Sequence, residues 1–392
     1  MRRLLFIAAA VILAALLLWY LWSAWRPAAT ARPETFSVTQ TLGGGGAPGY
    51  LRAEKPRRFS FPADHGPHPG YRNEWWYFTG NLQASDGRRF GYQLTFFKTA
   101  LTPGAEARLS AWGTNQVYMA HFAVTDVAAK RFRFAERFSR GALGLADAGG
   151  DPLAVRLENW AMLQNSGRPW GVRLTAAEPD MAVDFNLVSV KPEILNGAGG
   201  LSRKGGTAGN ASYYYSIPRM ATSGTLRIGK ERFAVSGLSW LDREWSTSAL
   251  EQDQVGWDWF ALQLDDGRDV MFYRLRKRDG SSDPFSGGTL VAPDGHSIVL
   301  KREDVQLEVV RWWESPASRV RYPSVWRLRV PAARIALEIE PRLADQELLT
   351  GFRYWEGAVA VRGVEGSPGG SGYLEMTGYS SGSADNSGTV GR

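Results

Sequence analysis

The hydrophobic pattern changes character once, near residue 56, and that change organises the rest of the chain. Arg2 and Arg3 precede an unbroken apolar run, Leu4 to Trp22. A helix of that length spans roughly 28 Å, about the hydrocarbon thickness of a bilayer. Trp19, Tyr20, Trp22 and Trp25 gather at its far end, where amphipathic rings favour the membrane interface. The run predicts an inner-membrane anchor with its N-terminus in the cytoplasm, or a signal peptide cleaved after Ala31 in Ala29-Thr30-Ala31. Either way the remainder is exported, to face the periplasm or to be secreted. Residues 26–55, rich in Ala, Pro, Thr and Gly, read as a flexible linker.

Beyond 56 the apolar residues alternate with polar ones in short runs, the period of β-strands. Glu74 to Leu82 runs into Ser85-Asp86-Gly87 and returns through Phe90 to Lys98, which predicts a hairpin. Further strands are expected at 121–125, 131–134, 154–160, 170–176, 184–190, 213–217, 225–228 and 233–236. The second half repeats the grammar: Trp257 to Leu264, Asp266-Gly267, then Val270 to Leu275, with more strands to Tyr379. The best short helix is Leu343 to Leu349. Trp75-Trp76-Tyr77-Phe78 with Asp86-Gly87-Arg88 echoes Trp257-Asp258-Trp259-Phe260 with Asp266-Gly267-Arg268, pointing to two similar units. The expected organisation is all-β, a barrel or sandwich at 56–228 and another at 229–380, with a disordered tail at 381–392.

Composition narrows the chemistry. The 392 residues include 16 Trp, four His and no Cys. Thiol nucleophiles, disulfides and thiolate metal sites are therefore excluded, and no pair of His has the spacing of a zinc site. The net charge of +7 is scattered, without basic runs, so nucleic acid is not an expected partner. No P-loop, Rossmann fingerprint or nucleophile elbow is present, and no cofactor is expected.

Three segments can carry chemistry. In Gly237 to Trp245, alternation puts Trp240, Asp242 and Glu244 on one face of a strand and Leu241, Arg243 and Trp245 on the other. Two carboxyls beside a Trp in a cavity hold protons at raised pKa, making Asp242 and Glu244 candidate acids; a plain ion-pair role is the alternative. In Asn73 to Phe78, Glu74 and Trp76 share a face, either lining a ligand site or forming a salt-bridged rim. The Gly-rich stretch 196–210 with Lys204, followed by Tyr213, Tyr214 and Tyr215, is a long loop that either closes over a ligand or merely crosses between sheets. His121 reads as a structural residue.

These segments together carry a family resemblance. NEWWYFTGNL (73–82), SRKGG with NASYYYSIPR (202–219), GLSWLDREWST (237–247), GWDWFALQLDDGRDVMFYRLR (256–276) and GYLEMTGY (372–379) resemble the AttH and carotenoid-1,2-hydratase group, also known as predicted secreted hydrolases. The resemblance implies two lipocalin-like domains with a ligand cleft at their junction, where Trp257 and Trp259 join Glu74, Trp76, Lys204, Tyr214, Trp240, Arg243 and Trp245 as ligand-binding candidates. It also implies work beside an ABC-transporter permease of the lipoprotein-export type. The hydratase branch protonates an isoprenoid double bond; its His-x-Trp falls here at Arg243-Glu244-Trp245, and its Tyr-x-Asp at Tyr273-Arg274-Leu275. Tyr273 is thus a catalytic candidate with Asp242 and Glu244, while the His and the Asp are missing. Two readings stay open: an exported module binding a hydrophobic or lipid-like molecule, and an acid-catalysed hydratase, cyclase or hydrolase acting on an apolar isoprenoid or terpenoid.

Overall fold

A computed structural model describes residues 48–104, 110–247 and 250–380. The expected anchor, most of the linker and the tail lie outside the described residues. Among the described residues helix is confined to three-residue 3-10 turns, and no helix is long and apolar enough to cross a membrane.

The first sheet opens with β1 (Asn73–Ala84), β2 (Arg89–Ala100), β3 (Gln116–Asp126) and β4 (Arg131–Arg140). A meander follows: β5 (Ala146–Gly150), β6 (Leu153–Leu157), β7 (Trp160–Gln164), β8 (Gly171–Ala177) and β9 (Met181–Ser189). Two short strands, β10 (Ile194–Leu195) and β11 (Leu201–Arg203), lead into β12 (Ala211–Ile228) and β13 (Glu231–Ser246). These 13 strands run in the order β4-β3-β2-β1-β13-β12-β9-β8-β7-β6-β5, with β10 and β11 on β12.

The second sheet has ten strands. Its members are β14 (Gln254–Leu264), β15 (Asp269–Lys277), β16 (Gly287–Val291), β17 (Ser297–Lys301), β18 (Gln306–Glu314), β19 (Arg321–Val330), β20 (Ile335–Pro341), β21 (Glu347–Leu349), β22 (Arg353–Gly363) and β23 (Gly370–Met376). The order is β17-β16-β15-β14-β23-β22-β20-β19-β18, with β21 on β22. Each sheet curls around its own core, one built on Trp76, Phe78, Leu94, Trp160 and Trp245, the other on Phe260, Trp326, Leu337 and Trp355.

The internal echo is a structural repeat. Each sheet begins with a hairpin whose first strand also pairs with the last strand of that sheet, β1 with β13 and β14 with β23. The two hairpin turns are alike: Gly87 and Gly267 both have φ of 87°, and Asp86 and Asp266 accept the backbone N–H of Arg88 and Arg268. Positive φ explains glycine there.

Three expectations change. The boundary at 228/229 cuts a hairpin: β12 and β13 pair along their length, and β13 also closes on β1, so the change of sheet falls between Ser246 and Gln254. A turn of Gly229-Lys230 looks the same in sequence whether it joins domains or strands. The short helix at 343–349 is instead irregular chain ending in β21, where Glu347 and Leu348 are buried against β22. The last stretch of the linker is docked: Ala53 is buried, Leu51 donates its N–H to the Gly70 carbonyl at 2.9 Å, and Thr247 Oγ1 donates to the Leu51 carbonyl at 2.6 Å.

The sheets pack face to face, β2 against β22, β1 against β23 and β12 against β14. One end is tight. Asn81 Nδ2 donates to the Gly372 carbonyl at 2.9 Å, and Lys191 and Arg219 from the first sheet hold Asp269 of β15 at 2.7 and 2.8 Å. A Cβ on Gly91 would stand 2.5 Å from the Cβ of Ala358. Towards the opposite end Trp75, Phe97, Leu250, Trp257 and Phe285 are only half-buried. Strands on both facing layers are buried on two sides, which explains their near-continuous apolar sequences.

Candidate functional site

The facing layer between the sheets contains an aromatic cluster with titratable groups set among it. Tyr77, Tyr214, Trp240, Trp259, Tyr273, Tyr373 and Ala358 pack together, with Trp75 and Trp257 beside them. Trp259 meets Tyr77 and Trp240 edge to face, with ring centroids 5.0 and 6.4 Å apart.

Alternation along β13 delivers the acids as expected. Trp240, Asp242 and Glu244 face the second sheet, while Leu241 and Trp245 enter the first core. Asp242 is buried and accepts from Ser216 Oγ at 2.5 Å, Trp240 Nε1 at 2.7 Å and the Tyr214 hydroxyl. Burial pushes its carboxyl up to about 7; the three donors pull the other way and Glu244 adds a repulsion. Trp259 Nε1 in turn donates to the Tyr214 oxygen at 3.1 Å, tying the acid to the second sheet.

Glu244 accepts from Ser212 and lies 3.4 Å from Lys204 Nζ. The ammonium of Lys204 sits over Tyr273 at 4.0 Å and Tyr214 at 5.3 Å. Its pKa is raised: burial alone would lower it, and the facing Glu244, Tyr273 and Asp242 outweigh that. Lys204 keeps 18% of its side chain accessible although protein surrounds it, so it fronts a space that water enters. The 196–210 stretch is not an open loop; β11 pairs with β12, Ser202 Oγ hydrogen-bonds the Tyr273 hydroxyl at 2.9 Å, and Gln254 Nε2 donates to the Lys204 carbonyl at 2.8 Å.

Four residues expected at the ligand site lie elsewhere. Glu74, Trp76, Arg243 and Trp245 point into the first sheet's own interior. Arg243 is fully buried, 2.5 Å from Glu74 and stacked 3.9 Å over Trp76. Lys98 Nζ holds the other Glu74 oxygen at 2.5 Å, and His68 lies flat on Trp245 at 3.7 Å. Burial would raise the Glu74 carboxyl, but Arg243, His68 and Lys98 drive it far below the usual range. The charged groups of this cluster are paired, and Arg243 also donates to the His65 and Gly66 carbonyls of the segment before β1. Residues of opposite parity on adjacent strands were grouped by sequence proximity, and the pleat separates them.

Two further carboxyls, not among the candidates expected from the sequence, come from β22 and β23. Glu356 on β22 and Glu375 on β23 are direct cross-strand partners. Glu356 is buried and accepts from the Tyr77 hydroxyl at 2.6 Å, while its second oxygen has no protein partner. Burial and then Glu375 push Glu356 well above the carboxylate range. Glu375 is raised to about 8 by burial, opposed by a hydrogen bond from Trp257 and reinforced by Asp242 and Glu244. The available signal was a lone carboxylate in each of two otherwise apolar strands, Tyr354 to Val361 and Tyr373 to Met376.

His121 bridges the sheets: its Nδ1 meets the Tyr354 hydroxyl at 2.6 Å and its Nε2 lies 3.4 Å from Glu136. Among the described residues no group of three or more His, Asp or Glu is arranged to hold a metal.

The AttH-like family model matches residues 52–379, across both sheets and every residue of the site. The chain belongs to the AttH-like family. An AttH protein of Nitrosomonas europaea is 33% identical, with a TM-score of 0.76 over 84% of this chain and 99% of that one. Kievitone hydratase of Nectria haematococca shares the fold at 15% identity and a TM-score of 0.62, covering 84% and 98%. CghA, crystallised with Sch210972, shares it at 13% identity and 0.52, covering 84% and 95%. No curated protein matches the sequence.

Proposed function

We propose that the cleft between the two sheets of this AttH-like protein receives an apolar, unsaturated molecule and that Asp242 exchanges a proton with it. The observation that carries this reading is the position of Asp242, a buried carboxyl that burial raises to about 7, bordered by Trp240, Trp259, Tyr77 and Tyr214. A carboxyl raised to about 7 can give or accept a proton at neutral pH, which suits general acid–base chemistry. Protonating an alkene carbon forms a C–H bond and leaves a cation on the neighbouring carbon. The surrounding ring faces stabilise that charge until water adds or a proton leaves. The likeness to a hydratase supports this class of chemistry at the level of the fold.

A binding module is the second reading, and one observation favours it. The hydratase His-x-Trp position is occupied by Arg243, which Glu74 and Trp76 pin in the opposite interior, so it supplies nothing to the cleft. On either reading the protein acts after export, with an ABC permease as the proposed partner; the apolar run Leu4–Trp22 and the family resemblance support this.

The test uses the full chain in D2O with farnesol as the probe. Quenching of tryptophan fluorescence reports binding, and mass spectrometry reports deuterium carried into the isoprenoid. Trp259→Ala is expected to weaken binding at least tenfold, and Asp242→Asn to abolish incorporation while binding persists. Quenching without incorporation in the unsubstituted protein leaves only the binding reading; incorporation undiminished in Asp242→Asn ends the acid reading.

A further inference from the structure

Two like carboxyls set directly opposite on neighbouring strands are destabilising unless one or both keep their protons. Glu356 and Glu375 are such a pair, with no Lys, Arg or His among the described residues in an ion pair with either. Nothing in the packing of the second sheet requires them: the pair faces the cleft, away from the core built on Phe260, Trp326 and Trp355. Tyr77 links the two walls. It is the register neighbour of Asp242 on β13, and its hydroxyl reaches across to Glu356. Trp259 does the same in reverse, beside Glu375 in register and bonded to Asp242 through Tyr214. Asp242 and Glu375 thus flank the Tyr77–Trp259 ring pair from opposite sheets. Glu375 keeps accessible surface even though protein encloses it. The second oxygen of Glu356 is buried and unmatched.

We propose that Glu375, backed by Glu356, is a second proton-carrying site on the wall opposite Asp242, so that a bound alkene is served by one acid on each face. The inference rests on the cleft reading above and deepens it by naming the reaction class, an allylic proton shift. The Glu375 carboxylic acid gives its proton to one alkene carbon, forming a C–H bond. The ionised Asp242 removes a proton from the carbon next to the cation, and that C–H electron pair becomes the new double bond. Substrate and product are isomers, and one proton has passed from Glu375 to Asp242, to be returned by exchange with water. The groups facing the pair are Tyr354 on β22, Tyr373 on β23, Tyr77 on β1, Asp242 and Glu244 on β13, Lys204 beyond Glu244, and the indole of Trp257 on β14. Burial raises both carboxyls, so each can carry or release a proton near neutral pH.

The test is infrared titration of the full chain from pH 5 to 10, following the protonated-carboxyl band. Two steps are expected, the lower removed by Asp242→Asn and the upper by Glu375→Gln, with Glu375→Asp restoring an upper step. With farnesol bound, as read by tryptophan quenching, the band that moves is expected to be the one missing in Glu375→Gln. A titration unchanged by Glu375→Gln overturns the second site while leaving Asp242 standing. Loss of the lower step's sensitivity to Asp242→Asn, with the upper step intact, strikes the cleft acid itself instead.

Discussion

Replacing Asp242 with Asn should change stability in a way that depends on pH and can be worked from the structure. The carboxyl has an ordinary value of 3.8 and stands at about 7 when folded. A folded-state value raised above the unfolded one favours the native state at low pH. That contribution is complete below 3.8 and is lost progressively as pH rises through about 7. The gap is worth about 4 kcal/mol, at about 1.4 kcal/mol per pH interval of one. Asn is close in shape to the protonated acid and has no such dependence. Whatever fixed cost it carries against the Ser216, Tyr214 and Trp240 donors cancels when two pH values are compared. The stability of Asp242→Asn relative to the unsubstituted protein should therefore improve by about 2–3 kcal/mol between pH 5 and pH 8. Urea unfolding of both proteins at the two pH values reads this directly. A difference that stays flat across that range would refute the claim that Asp242 is folded as a neutral acid.

Glu74→Ala leaves the buried Arg243 and Lys98 without a counter-ion and should cost about 3–5 kcal/mol, seen as a lowered urea midpoint. A measured loss below about 1 kcal/mol would mean that the cluster is solvated rather than locked. Gly91→Ala drives a methyl into Ala358 and should cost about 1–3 kcal/mol, most of it restored by the double substitution Gly91→Ala with Ala358→Gly. Purely additive effects in that cycle would show that the two sheets do not meet there.

Much was legible before any coordinates, for definite reasons. Period-two alternation is local, so the hairpins at Asp86-Gly87 and Asp266-Gly267, the all-β class and the facing of Asp242 and Glu244 away from Trp245 all follow from chain order. Pairing between distant strands is not local. Nothing in the sequence says that β13 returns to β1, and so neither the true change of sheet nor the burial of Arg243 on Glu74 could be read from it. The same holds for the acids. Asp242 was visible because a second carboxyl stood two residues away, whereas Glu356 and Glu375 are solitary in their strands and become a pair only when β22 and β23 lie side by side. Sequence determined which residues share a face of each strand; the stacking of one curled sheet on the other decided which faces confront each other, and with that which carboxyls lose their water and keep their protons.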